Sequence, residues 1–317
     1  MVLLAGLLVL TGCGSAGTAP APAAGGAVDH AAGRTEVPAD AQRVVALDEN
    51  AGLLLYELGK QPVEALGTFS SVGVKEILTQ AGTPVEPADF AAPPVERVAA
   101  LNPDLIVGSA TPGAIEAYPR LSQVAPTVLA GYSDPWSKQL AVAGAAVNKA
   151  DVAQQRTATL QTKIDDTRRE LQERGIAGQS VSVLGSISGF PFALPSESSA
   201  GELITGLGLT RPKAQAPGAP MTEGGIAVSP ERLSEHDADH ILVLTGSMWS
   251  DKEITGLPTA GQLRGPKATV DGEQWTNTNP FAVDWMLRDM RAVLLNDGTV
   301  GTGADVVARW RQYSGAS

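Results

Sequence analysis

Val95-Glu96-Arg97-Val98-Ala99-Ala100-Leu101-Asn102-Pro103-Asp104-Leu105-Ile106-Val107 is a helix followed at once by a buried strand. Pro94 opens the helix, which runs through Leu101, and the apolar triplet after Asp104 is a strand. The unit recurs. Glu96-Arg97-Val98 stands eight residues before Asp104 and its strand, and Glu231-Arg232-Leu233 stands eight residues before Asp239 and the strand Ile241-Leu242-Val243. Both pairs are offset by 135 positions. The chain is therefore expected to contain two α/β lobes with a helix–strand unit at matching places.

Other short apolar runs extend the pattern. Val44 to Leu47, Val63 to Leu66 and Thr127 to Leu129 read as strands of the first lobe; Val181 to Leu184 and Ala268 to Val270 read as strands of the second. Asn50 is the expected cap of a helix carrying Leu53, Leu54, Leu55 and Leu58. Helices are expected at about 281–295 and 302–313. Strands separated by helices indicate parallel sheets. Between the lobes, residues 149–174 contain no Gly or Pro. Leu160, Ile164, Thr167 and Leu171 fall on one stripe there, which predicts a single long helix. The expected domains are an N-terminal lobe over 39–148, a connecting helix over 149–175 and a C-terminal lobe over 176–317. Each lobe is a three-layer α/β unit with a mostly parallel sheet.

The amino terminus reads as an export signal. Val2 to Leu10 is an unbroken apolar run of nine residues, too short to span a bilayer but suited to the core of a signal peptide over 1–12. Leu10-Thr11-Gly12-Cys13 follows, and it resembles the lipobox of bacterial lipoproteins, in which the Cys is lipidated. Cys13 is the only cysteine in the chain. No Lys or Arg precedes Arg34, so the usual positive segment would lie upstream of Met1. Residues 13–38 are rich in Gly, Ala and Pro, and they are expected to form a flexible tether that includes His30.

Composition narrows the function. Lys and Arg number 23 and Asp and Glu 34, a net charge of −11, which argues against a nucleic-acid partner. Three histidines are too few for a His-rich metal cage, and His236 with His240 reads as a solvated surface pair on the side away from any cleft. Gly185 to Gly189 has Ile187 at the nucleophile position, so no hydrolase elbow is present. In parallel sheets, ligands bind beyond the carboxyl ends of strands. Of the chain's fourteen aromatic residues, Phe69, Tyr132, Trp136, Phe190, Phe192, Trp249 and Trp275 fall in those loops. They are expected to wall a cleft between the lobes, with Asp48, Ser70 and Tyr118 as further ligand contacts and Arg120 and Lys138 as lesser polar candidates. Phe281, Trp285 and Trp310 lie among apolar neighbours on helices and are expected in the core.

The Cys13 motif, the two lobes, the single connecting helix and the segment V-E-R-V-A-A-L-N-P-D-L-I-V together resemble the siderophore and cobalamin class of ABC-transporter substrate-binding lipoproteins, over about residues 40–313. The resemblance implies a non-enzymatic protein, expected as a monomer, lipid-anchored at Cys13 on the extracytoplasmic face. It implies capture of a ferric siderophore, with no cofactor and with iron held only by the siderophore. It also implies that Glu96 and Glu231, one on each lobe, dock onto basic residues of a two-fold permease dimer. Cobalamin or haem is the alternative ligand. A lipid-anchored hydrolase would need a nucleophile–base pair, and metal capture by side chains would need three or four cleft ligands. Asp48-Glu49 and the scarcity of Arg in the loops favour a hydroxamate complex over a tris-catecholate.

Overall fold

The computed structural model of the chain describes residues 24–68, 72–221 and 225–315. It opens with a β-hairpin, β1 (Ala24–His30) and β2 (Gly33–Pro38), turning at Ala31-Ala32. The first lobe follows as β3 (Val44–Ala46), α1 (Glu49–Glu57), β4 (Glu64–Gly67), α2 (Val72–Gln80), β5 (Val85–Pro87), α3 (Val95–Ala100), β6 (Leu105–Ser109), α4 (Pro112–Val124), β7 (Thr127–Ala130) and α5 (Trp136–Ala146). Helix α6 (Ala150–Glu173) leads to the second lobe: β8 (Val181–Ile187), β9 (Phe190–Ala193), α7 (Ser199–Gly206), β10 (Ile226–Ala227), β11 (His240–Thr245), α8 (Lys252–Thr255), β12 (Lys267–Asp271), α9 (Gly272–Thr276), α10 (Pro280–Leu295) and α11 (Val306–Ser314).

The first sheet has the order β5-β4-β3-β6-β7, and every pairing is parallel. The second has the order β10-β9-β8-β11-β12, with β8, β11 and β12 parallel and β9 and β10 antiparallel additions at one edge. Successive strand residues point to opposite faces, and both faces are buried. Val44 and Ala46 join one apolar cluster, while Val45 and Leu47 join another beneath α3 and α4. Likewise Val181 and Val183 face one cluster and Leu184 the other. Covered faces are why these strands read as continuous apolar runs.

Helix α6 buries Ala153, Leu160, Ile164, Thr167 and Leu171, the stripe expected from its sequence. It packs against α5 of the first lobe and α7 and α10 of the second. At ~1.5 Å per residue its 24 residues span roughly 36 Å. The second lobe also reaches back. Helix α11 packs on α2, and one apolar cluster runs without a break through the inner faces of both sheets.

Three expectations need correction. The tether reaches at most to residue 23, because β1 and β2 fold onto β7. Val28 and Val37 are buried, the Ala31 N–H donates to Leu129 O (2.9 Å), and Thr35 Oγ1 donates to Thr127 O (3.0 Å). Alternation drives the pairing, with Val28 and Val37 inward and Asp29 and Glu36 outward. The cap of α1 is Asp48 rather than Asn50. His236 is buried with Nδ1 against Gln215 Nε2 (3.0 Å), and half-buried His240 meets Gln179 (2.7 Å), so neither is a solvated surface group. Cys13 and the apolar run lie outside the described residues.

Candidate functional site: the cleft between the two sheets

The carboxyl ends of the two sheets meet. Asn50, two residues into α1 from the end of β3, donates through Nδ2 to Gln139 Oε1 on α5 and to Thr278 Oγ1 beyond β12, both at 3.1 Å. Thr278 Oγ1 donates to Gln139 Oε1 (3.0 Å), and Asn279 Nδ2 donates to Asn50 Oδ1 (2.9 Å). Asn279 Oδ1 accepts from Ala282 N and caps α10, so the network is tied to a long helix. The Trp136 N–H donates to Ser199 Oγ (3.2 Å), a second link between α5 and α7. These bonds form a polar floor shared by the two lobes. Buried amides with satisfied partners fix a geometry strictly, because breaking one leaves a desolvated polar group.

The first lobe supplies one wall. Asp48 Oδ1 accepts from Ala51 N and Oδ2 from Ser109 N, both at 2.7 Å, so one carboxylate joins the ends of β3 and β6. Burial pushes its pKa up to about 6, against the pull of those two backbone donors. Glu49, also buried, accepts from Thr68 N (2.9 Å) and anchors the start of the loop after β4. Tyr132 is exposed beyond β7 and meets Phe90, beyond β5, edge-on at 5.9 Å between ring centroids.

The second lobe supplies the other wall. The turn Ser188-Gly189 between β8 and β9 has positive φ at both residues. Glu253 on α8 holds it, accepting from Ser186 Oγ (2.6 Å) and Gly189 N (2.9 Å), and those bonds lower the Glu253 pKa. Ser247 Oγ donates to Glu273 Oε1 (2.6 Å). The Trp249 ring lies over Gly272, where a Cβ would meet it at 2.6 Å, so glycine is required for the ring to seat. Its buried indole N–H has no hydrogen-bond partner.

Exposed apolar side chains mark this region. Val72, Ile115, Tyr132, Ile187, Phe190 and Met248 all lie at or just beyond the carboxyl end of a sheet strand, and of the large exposed apolar groups among the described residues only Met221 lies elsewhere in the chain order. Exposed apolar groups near strand ends of a parallel α/β fold are candidates for a ligand-contacting surface.

A polar floor under two apolar walls, set between sheets that meet at their strand ends, is the architecture of a two-lobed binding protein. The sequence profile of the family described as periplasmic binding protein matches residues 44–278. The chain belongs to this family. Among its relatives, the probable siderophore-binding lipoprotein YfiY of Bacillus subtilis (strain 168) is 28% identical over 221 residues, covering 68% of this chain and 67% of that one. The putative ABC transporter substrate-binding lipoprotein YhfQ of the same organism is 26% identical over 231 residues, covering 69% and 70%. The crystal structure of Staphylococcus aureus SirA complexed with staphyloferrin B superposes with a TM-score of 0.71 at 21% identity, over 86% of this chain and 99% of that one, which shows the shared fold.

In this periplasmic binding protein, Tyr132 and Phe190 are exposed at strand ends, and Trp249 lies half-buried in the loop after β11. Phe69 and Ser70 lie outside the described residues. Trp275 is 1% exposed, and its Nε1–H donates to Asp289 Oδ2 (2.9 Å), which makes it a core residue of α9. Trp136 and Phe192 are also buried, in the apolar cluster shared by the lobes. Asp48 is a buried staple with both oxygens occupied by backbone donors. Tyr118 lies two turns into α4, where its hydroxyl pairs with Thr35 Oγ1 (3.2 Å) and its ring meets His30 at a tilt of 58°, so it fastens the hairpin. Arg120 is bonded to Glu96 (2.5 Å) and Lys138 to Asp134 (2.8 Å). Phe281, Trp285 and Trp310 are in the core, as expected. Among the described residues, no group of three or more His, Cys, Asp or Glu could hold a metal ion.

Sequence reading missed Phe90, Met248 and the Asn50–Gln139–Thr278 floor. The signal for Phe90 was present: Val85-Glu86-Pro87 is strand β5, which makes the following loop a strand-end loop.

Proposed function

We propose that this protein is the extracytoplasmic substrate-binding component of an ABC importer and that it captures a siderophore carrying its iron in the cleft between the lobes. The observation that carries the reading is the set of exposed apolar and aromatic groups on two walls above a fixed polar floor. Such a site suits a bulky organic chelate, which fills the space between the lobes and brings its own metal. Kinship to a protein named as a siderophore-binding lipoprotein supports it. Binding rather than catalysis is the role, with iron as cargo and no resident cofactor. Cys13, behind its short apolar run, is the proposed lipid attachment point that holds the protein at the membrane face.

Titration of the purified protein with ferric siderophores, haem and cobalamin, read by tryptophan fluorescence, tests this. Saturable change with at least one ferric siderophore, at one ligand per chain, is the expected result. A response to haem or cobalamin with none to any ferric siderophore would overturn it.

A further inference from the structure

The charges around the cleft are one-sided. Connections that leave the carboxyl ends of the sheet strands at this end cover, among the described residues, 47–48, 68, 88–94, 110–111, 131–135, 188–189, 228–229 and 246–251, with 277–279 following the one-turn helix α9. None of the chain's 23 Lys and Arg residues falls in any of them, whereas Asp48, Asp89, Asp134 and Asp251 do. Glu49 follows the first of them, and Asp271 and Glu273 stand at the end of β12 and the start of α9. The nearest cations along the chain are Arg97, Lys138, Arg232 and Lys252. Arg97 is paired with Glu64 (2.9 Å), Lys138 with Asp134 (2.8 Å) and Arg232 with Glu235 (2.7 Å), and Lys252 sits between Asp251 and Glu253. In the second lobe, Glu253 and Glu273 each accept from a serine hydroxyl.

Ferric chelates differ in charge more than in size. A tris-catecholate carries excess negative charge, as do most polycarboxylate complexes, whereas a trihydroxamate is neutral and becomes cationic if its chain ends in an amine. A buried anion needs paired cations or dense donors, since desolvation of an unpaired charge is costly. The carboxylates here that reach solvent, Asp89, Asp251 and Glu273, instead repel an anion and attract a cation. The cleft's large exposed apolar groups are Val72, Ile115 and Tyr132 in the first lobe and Ile187, Phe190 and Met248 in the second. Methylene arms of a chelate would be covered by such groups at ~25 cal/mol per Å² of apolar surface removed from water.

Resting on the siderophore reading above, we infer that the cleft selects a neutral or cationic ferric trihydroxamate with aliphatic arms and rejects polyanionic catecholate and carboxylate chelates. The selection is by charge, acting through the absence of cations on the loops as much as through the carboxylates present.

Three probes of different charge test it: neutral ferrichrome, cationic ferrioxamine B and trianionic ferric enterobactin, each titrated by tryptophan fluorescence. Either hydroxamate should bind at least ~100-fold more tightly than the trianion. Added salt should weaken binding of the cation and leave that of the neutral complex unchanged. The double variant Asp251→Lys/Glu273→Lys should lose affinity for ferrioxamine B and gain it for ferric enterobactin, while an unchanged urea-unfolding midpoint reports that the fold is intact. Equal or tighter binding of the trianion overturns the charge selection and leaves the siderophore reading in place, as does a double variant with unaltered preference. Binding of haem or cobalamin alone overturns both.

Discussion

Glu57 shows how a single buried carboxylate couples the lobes to pH. It sits at the end of α1, fully enclosed, with Oε2 accepting from Tyr313 Oη (2.7 Å) and Oε1 from Phe281 N (3.4 Å). Arg156 of the connecting helix is 3.9 Å from Oε2, too long for a strong pair. Desolvation therefore outweighs the donors and raises the Glu57 pKa from 4.5 to about 7, and the nearby carboxylate in turn adds to the rise at Tyr313. The folded protein then binds a proton that the unfolded chain has released between about pH 4.5 and 7. The stability linked to this group is complete below the unfolded pKa and is lost as pH rises through the folded one. Glu57→Gln, which keeps shape but cannot ionise, should remove that loss. Urea unfolding of both proteins across this range should show the wild type falling relative to the variant by about 2–3 kcal/mol. Parallel curves would refute the assignment. Asp48 and Asp271, each raised to about 6, slope the same way in both proteins and cancel in the comparison.

Elements explain why parts of the site were legible and parts were not. Central strands, covered on both faces, advertise themselves as apolar runs, and α6 advertises itself by one stripe and the absence of Gly and Pro. Aromatic residues near strand ends carry no such label, because local structure decides their direction. Phe190 and Phe192 lie on β9, where alternation leaves the first 77% exposed and the second 9% exposed. Trp275 looked like a loop residue, yet one turn of helix after β12 points its indole at Asp289. The hairpin β1–β2 was hidden by its Gly and Ala content, although it has a clear task. Strand β7 is an edge of its sheet, and an uncovered edge invites pairing with other chains. The hairpin covers it through Ala31, Thr35 and Tyr118. Val37→Asp would place an unpaired charge where Val37 is buried and should cost on the order of 2–4 kcal/mol in urea unfolding. Siderophore affinity in dilute buffer should be retained. A free tether would tolerate the change at no cost, so an unshifted midpoint would contradict the structure.

At the scale of the whole molecule, the repeat read from the sequence becomes a matching pair of lobes. Asp104 accepts from Gln42 N (2.6 Å) and Arg43 N (2.9 Å), just before β3, and Asp239 accepts from Ser180 N (2.7 Å), just before β8. Each aspartate thus closes the start of the strand beside its own, β3 beside β6 and β8 beside β11. Eight residues earlier stand Glu96, in the first turn of α3, and Glu231, in the first turn of a short 3-10 segment, both exposed. Equivalent positions in equivalent lobes present two similar carboxylates, which fits a partner with two equivalent basic pockets such as a two-fold permease. Neither carboxylate is committed to the core. Among the described residues, Glu96 pairs with the exposed Arg120, and Glu231 with the Ser229 hydroxyl and its own backbone N–H; in the docking proposed here both would exchange these partners for basic groups of a permease. Placed outside the cleft network, they should not affect capture. Glu96→Lys and Glu231→Lys should therefore leave the siderophore dissociation constant unchanged, while each slows uptake. The double change should slow it by more than either alone, because both halves of the proposed docking face would then be repelled. Uptake of iron-labelled siderophore by cells, together with stimulation of transporter ATPase in vesicles, measures the effect. Normal uptake and normal stimulation with the double variant would show that the permease is recognised elsewhere on the surface.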